Sequence, residues 1–364
     1  MDFDIQPSVL MKNDTRIRLP ESTRQELGVI VGQFMQLRGK EELVLEIGPP
    51  LNTGDGVAYI SPELFEKIKG VDIDFKILEV TLGCDPEFFV KWRGQYISAA
   101  TYLPAQGEIG CDGGLGELRP MYGSHEDHVV ANLQRLIPNI PAKMKRSHWA
   151  KGFPEDGREF TYEAHSYHLE LAAGYHIHLG IPPEILLTRN SFNRAAMNHL
   201  VRCMDYYVSV PTIPLEINHG RRLDKGQYGE PGDYRPSNIT LEYRTPGAFF
   251  LRTPKLAAGL MGLALTITEA AVSRMKAASK NFTRLHKLTD ADLHEILPKP
   301  PPSEVIEMLK SVDDRLARRA IPKIRRQLEE LPNYGKHKAA IEGFFSEVDE
   351  QRRPGPDLIA NWKE

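Results

Sequence analysis

Four short stretches of this chain place a charged or imidazole residue at i and again at i+2, within segments whose apolar pattern predicts strands. They are Asp85-Pro86-Glu87, Glu117-Leu118-Arg119, His176-Ile177-His178 and Glu242-Tyr243-Arg244. Side chains alternate faces along a strand, so each pair lands on a single sheet face. Buried charge has to be paired or bound to metal, so a face carrying several such pairs is not an ordinary apolar core. It is either open to water or built to hold an anion through metal ions. The expectation is a nucleotide-and-metal site.

A chain of 364 residues is long enough for about two domains. Its composition, 41% hydrophobic and 26% charged, permits a sizeable core, and a formal charge of −3 gives no electrostatic reason to expect a nucleic-acid partner. Cys84, Cys111 and Cys203 are too few and too scattered for a disulfide framework or a cysteine zinc site, and they fit a cytoplasmic protein. The first residues carry no secretory pattern. The apolar segment Leu256–Val272 contains Thr266, Thr268 and Glu269 and is short for a membrane span, so a buried core helix is expected and no membrane partner.

Three regions are expected. Residues 1–75 form a small β-rich unit, with strands at Arg16–Arg18, Gln33–Arg38, Glu42–Ile47 and Val57–Ile60, and helices at Glu21–Leu27 and after Ser61-Pro62. The pattern R-L-P-x-x-x-R-x-x-L-G followed by G-x-F-M-x-L resembles small swapped-hairpin or double-psi barrels of transcription regulators. A generic β-barrel for dimerisation or substrate docking is the plainer alternative. Residues 76–280 hold all four polar pairs. Strands are expected from Phe75 to Val90, Tyr96 to Ala100, Gly110 to Pro120, Leu169 to Leu179 and Ile239 to Thr245. Helices are expected at Ser124–Leu136, from Ser191 to about Val208, and from Thr253-Pro254 to about Ser279. Residues 281–364 are predicted helical, with breaks at prolines.

The carboxylates Asp85, Glu87, Glu117 and Glu242 supply the oxygen ligands that Mg²⁺ or Mn²⁺ prefers. The plainer alternative for each is a rim ion pair, for example Glu117 with Arg119 or Glu242 with Arg244. His176 and His178, framed by Gly174 and Gly180, suit metal or phosphate contact. Arg119 and Arg244 stand beside the acids. Arg221, Arg222 and Arg235 flank a glycine-containing segment, 221–236, that also holds Tyr228; as a mobile loop it could close over a triphosphate. No P-loop, no G-x-S-x-G elbow and no C-x-x-C pair occurs.

In sequence order the chain carries G-x-D-P-E-F-F, D-G-x-x-x-E-L-R-P, G-Y-H-I-H-L-G, Y-G-x-x-G-x-Y-R and L-E-Y-R-T-P. This set, spanning roughly residues 77–275, resembles the type 2 phage carboxylate–amine ligases, of the glutamine synthetase and glutamate–cysteine ligase superfamily. The resemblance implies an α+β fold whose antiparallel sheet carries helices on one side and binds ATP and divalent ions on its concave face. It implies amide formation between a carboxylate and an amine, either from a small molecule or a peptide, through an acyl phosphate. By that likeness Asp85, Glu87, Glu117 and Glu242 match metal positions, and His176 or His178 would face metal or phosphate. Arg235 and Arg244 would hold phosphate, with Arg119, Arg221, Arg222 and Tyr228 nearby. A homo-oligomer is possible. Competing readings are a zinc hydrolase using His176 and His178, a guanidino kinase, and a DNA-binding or scaffold protein acting through its first 75 residues. The basic run Arg315–Arg326 would serve that last reading, although a solvated helix face also accounts for it.

Overall fold

The fold is known from a computed structural model that describes residues 4–51, 57–70, 72–146, 152, 154–188, 191–223 and 229–363. It is a mixed α+β protein with two large sheets.

The first sheet is built from β1 (Ile5–Pro7), β2 (Arg16–Arg18), β3 (Phe34–Arg38), β4 (Glu42–Gly48), β5 (Ala58–Ile60) and β6 (Asp74–Leu78), in the order β1-β5-β2-β4-β3-β6. The path has two ends, so among the described residues it is an open mixed sheet and not a closed barrel. Period-two alternation sorts its side chains. Met35, Leu37, Leu43, Leu45 and Ile47 face a small core with the helices Glu21–Leu27 and Pro62–Ile68. Ser61 caps the second of these helices, accepting from the Leu64 N–H, with Pro62 at its first position. The boundary expected after residue 75 falls inside β6, which pairs residue for residue with β3 from Phe34↔Leu78 to Arg38↔Asp74. The apolar pattern starting at Phe75 therefore belongs first to this sheet.

The second sheet is antiparallel. Its strands are β7 (Thr81–Trp92), β8 (Gln95–Ile97), β9 (Ile109–Asp112), β10 (Leu115–Leu118), β11 (Thr161–Glu163), β14 (Tyr175–Gly180), β15 (Tyr234–Pro236) and β16 (Thr240–Tyr243). The main path runs β15-β16-β14-β7-β10-β9, with β8 and β11 paired to the far end of the long strand β7. A separate hairpin, β12 (Tyr167–His168) with β13 (Leu171–Ala172), interrupts the strand expected from Leu169. Its turn holds Leu169 and Glu170 at φ of 50° and 60°.

One face of this sheet carries Leu82, Cys84, Phe88, Val90, Tyr175, Ile177, Leu179, Leu241 and Tyr243, all in the main core. The helix Pro254–Ala278 lies against it, capped by Thr253 at the Leu256 N–H as expected. By length and composition it could cross a membrane, yet 83% of its most apolar window is buried inside the protein. Helices Glu126–Leu136, Arg194–Met204 and Tyr334–Glu350 pack around it. The helix expected to be capped by Ser191 begins two residues later. Asn193 caps Arg194–Met204, which continues through a π-helical turn, Asp205–Ser209.

The face of the first sheet opposite its own core meets the end of the second sheet. Phe34, Val44, Leu78 and Tyr122 form an apolar seam, with the Phe34 and Tyr122 rings edge to face at 5.8 Å. Gly180 makes this contact possible. A Cβ there would stand 2.5 Å from the Phe34 ring and 2.2 Å from Thr81 Oγ1.

Candidate active site

The register of the second sheet brings all four polar pairs to its other face. His176 is opposite Asp85, His178 is opposite Glu242 on one side and Gly83 on the other, Glu87 is opposite Glu117, and Arg235 is opposite Glu242. Four neighbouring strands thus contribute Glu242 and Arg244, the two histidines, Asp85 and Glu87, and Glu117. Arg235 stands on the edge strand β15.

Asp85 is the hub. Its Oδ2 lies 2.9 Å from His178 Nε2 and its Oδ1 lies 3.3 Å from His176 Nδ1. Burial pushes the Asp85 carboxyl up. The hydrogen bonds and positive charge of the two imidazoles outweigh this and hold it well below the usual carboxylate range. Burial lowers His178, and the bond and charge of Asp85 more than reverse that. His176 Nδ1 also lies 3.7 Å from Glu242 Oε1. Ligand atoms of Asp85, His176 and Glu242 fall within 4.8 Å of one another.

A second acidic group spans β7 and the neighbouring strand β10. Glu87 and Glu117 are direct register partners, both buried. Glu87 accepts the Gly174 N–H at 2.5 Å, and burial still drives its carboxyl upward.

The arginines divide into two kinds. Arg119 pairs with Glu117, while Glu242 receives Arg235 Nη1 at 3.1 Å and Arg244 Nε at 3.2 Å. The rim pairings that the sequence offered as the plainer alternative therefore form. Arg235 is the most accessible of these side chains, at 63%. Arg221 and Arg222, expected at a cofactor, are instead buried. Arg221 donates to the Thr245 carbonyl at 2.8 Å and the Arg244 carbonyl at 2.7 Å, and desolvation lowers its guanidinium to about 10. Arg222 pairs with Glu216 at 3.2 Å and donates to Thr212 Oγ1 at 2.9 Å. Both side chains hold the chain beneath the site.

The segment expected to be one mobile loop has structure at both ends. Gly220–Leu223 is a helical turn and Tyr234–Pro236 is strand β15. Tyr228 lies outside the described residues. Gly174 and Gly180 admit close approach, as the pattern suggests, but what approaches is protein. A Cβ at Gly174 would stand 2.2 Å from His176 Nε2 and 3.0 Å from Arg221 Nη2.

Sequence reasoning missed Glu216 and Asp205. Glu216 is buried; desolvation pushes it up, while Arg222, His219 and Ser166 bring it down to about 2. Asp205 accepts from Tyr243 Oη at 2.7 Å and Thr245 Oγ1 at 3.3 Å, and burial raises it to about 7. An acid beside Tyr206-Tyr207 in an apolar helix gives no local signal of either role. Asp233 was also missed; it accepts the Gly229 N–H at 3.2 Å and lies 3.9 Å from Arg244 Nη1.

The donor set fits divalent cations. Asp85 Oδ1, Glu117 Oε2 and Glu242 Oε1 are buried and meet His176, Arg119 and Arg244 as ion pairs without hydrogen-bond geometry, and His176 Nε2 is buried with no hydrogen-bond partner. Such atoms are costly unless something else coordinates them. Three of the four are carboxylate oxygens, the donors hard cations prefer.

Fold and site together define an α+β protein whose antiparallel sheet is apolar toward its helices and lined with acids, imidazoles and arginines on the other face. The chain belongs to the carboxylate–amine ligase family described as phage phiEco32-like COOH.NH2 ligase-type 2, which matches residues 82–363. No curated protein matches the chain. Among solved structures it is similar to a bifunctional glutathione synthetase from Pasteurella multocida, at 10% identity and a TM-score of 0.40, over 78% of this chain and 51% of that one. The chain spans about half the length of that enzyme, a likeness too distant to bear on the site.

Proposed function

We propose that this protein joins a carboxylate to an amine at the expense of ATP, through an acyl phosphate, on the polar face of the second sheet. The observation that carries the reading is the convergence of Asp85, His176 and Glu242 on one sheet face, with Glu87 on the same strand as Asp85 and Glu117 on the next strand. Membership of a carboxylate–amine ligase family supports the same chemistry.

A carboxylate does not react with an amine at neutral pH, so it needs activation. ATP supplies this: the carboxylate oxygen attacks the γ-phosphorus, the bond to the bridging oxygen of ADP breaks, and an acyl phosphate forms. The amine then attacks the acyl carbon, phosphate leaves, and the amine proton is released. Asp85 and Glu242 with His176 would hold one divalent cation, and Glu87 with Glu117 another. Mg²⁺ or Mn²⁺ bound there offsets charge on the phosphates during transfer.

The protein's own groups have distinct tasks. Asp85 fixes both imidazoles, so His176 and His178 keep one orientation on the strand. Glu242 is held by two guanidiniums, and a cation arriving at that carboxylate would release them toward phosphate oxygens. Arg235, exposed on an edge strand, and Arg244 beside it are the groups placed for this. Arg221, locked to two backbone carbonyls, keeps the end of β16 in place while they move.

The test is ADP release with and without Mg²⁺ across a panel of amines and carboxylates. Release requiring both substrates and the metal supports the reading. Release of a product from amide substrates with no nucleotide present would favour hydrolysis instead.

A further inference from the structure

The helical side of the molecule holds a second cluster of ligand-type side chains that the ligase chemistry does not use. His125 caps the helix Glu126–Leu136, Glu126 is that helix's first residue, His337 lies on Tyr334–Glu350, and Glu269 lies on Pro254–Ala278. Glu126 and His337 are each only 1% exposed. Ligand atoms of His125, Glu126 and His337 fall within 4.8 Å of one another.

The hydrogen bonds fix which nitrogens are free to coordinate. His125 Nε2 lies 3.2 Å from the Lys336 carbonyl oxygen, which can only accept, so that nitrogen carries the proton. Its Nδ1 carries the lone pair, which accepts the Asp127 N–H at 3.3 Å and which a metal would take over from that long bond, and it stands 3.5 Å from Glu126 Oε2. His337 Nε2 lies 3.2 Å from Glu269 Oε2, and its Nδ1 lies 2.7 Å from the same Glu126 Oε2. One imidazole proton serves one of these carboxylates. The other contact is met by a second proton on the ring, which the two carboxylates favour, or by a cation lying between nitrogen and oxygen.

We propose that His125 Nδ1, Glu126 and His337 Nδ1 bind one zinc-class transition-metal ion, with Glu269 orienting His337 from behind. Two imidazoles with one carboxylate form a zinc donor set, and the mixture of nitrogen with oxygen selects against Mg²⁺. Ligand atoms on a tetrahedral zinc lie roughly 3.3 Å apart, so the 3.5 Å pair is already spaced for it and the 2.7 Å pair opens slightly. A carboxylate holding the distal imidazole nitrogen is the usual support of a metal-bound histidine. Lys336 in turn pairs with Glu269. A cavity of about 680 Å³, lined by His125, Glu269, Asn333 and Lys336 and walled by Gln36 and Lys76 of the first sheet, gives an ion access to the cluster. Bound there, the metal ties two helices together, with the third holding His337 through Glu269, beside the junction of the two sheets.

Zinc titrated calorimetrically into metal-free protein at pH 8, in millimolar Mg²⁺, tests this. His125→Asn keeps a capping oxygen for the Asp127 N–H while removing the ligand, so the helix is retained. The expected result is one zinc per chain that persists in Asp85→Asn. It should weaken at least about 100-fold in His125→Asn, and about 10- to 100-fold in Glu269→Gln. Cobalt should give a visible absorption band in wild type that His125→Asn abolishes. Zinc binding unchanged by His125→Asn, or none surviving Asp85→Asn, overturns the proposal. In the second case His337 is held between its carboxylates by protons alone.

Discussion

Arg221 donates through Nη2 to the backbone carbonyl of Arg244, 2.7 Å away, and so props from behind the strand end whose side chain faces the site. Its second amino group holds the next carbonyl, that of Thr245. Arg235, in the same stretch of sequence, spends its guanidinium on Glu242 at the exposed edge.

These two arginines should therefore fail differently. Arg221→Met leaves two buried carbonyls without donors and should cost about 2–4 kcal/mol in urea unfolding. Arg235→Ala should change stability by less than about 0.5 kcal/mol and instead weaken nucleotide binding. Equal stability losses in the two variants would contradict this division.

Asp205 gives a pH signature. Burial raises its folded value to about 7 from an ordinary 3.8, so the fold prefers the protonated acid. Its contribution is full below about pH 4 and is lost as pH rises through 7. Asp205→Asn mimics the neutral acid and keeps an oxygen for Tyr243 and Thr245. Urea unfolding at pH 5.5 and 8 should show a smaller loss of stability with rising pH in the variant than in wild type. An identical slope in both proteins would show that Asp205 is ionised in the fold.

The seam between the sheets depends on a missing side chain. Gly180→Val would drive its Cβ into the Phe34 ring and Thr81. Limited proteolysis should then cut between the sheets, near residues 78–81, faster than in wild type. Phe34→Ala should do the same through a cavity costing about 3–5 kcal/mol. Unchanged cleavage in both variants would mean that the seam contributes little to docking.

Much of the site face was legible because strand alternation is local. Asp85 with Glu87, and His176 with His178, share a face whatever the rest of the chain does. Which strands neighbour each other was not legible, since the pairing of His178 with Glu242 joins residues far apart in sequence. The arginines show the same limit. Arg221, Arg222 and Arg235 look alike in a glycine-containing stretch, and only tertiary burial makes two of them structural and one accessible. Asp74–Leu78 continues an apolar strand pattern into β7, so nothing local says that it is an edge strand of the first sheet. Gly174 and Gly180 do mark points of close approach, but the approaching groups, His176 with Arg221 and Phe34, come from the fold itself.

The central claim is that the acids of the second sheet hold the cation through which ATP binds. Calorimetric titration of ATP, with and without Mg²⁺, into wild type and Glu242→Gln tests it most directly. The account predicts Mg²⁺-dependent binding in wild type and a loss of roughly 10²-fold or more in the variant, with both proteins equally folded by circular dichroism. ATP binding that is indifferent to Mg²⁺, or equal in the two proteins, would contradict it.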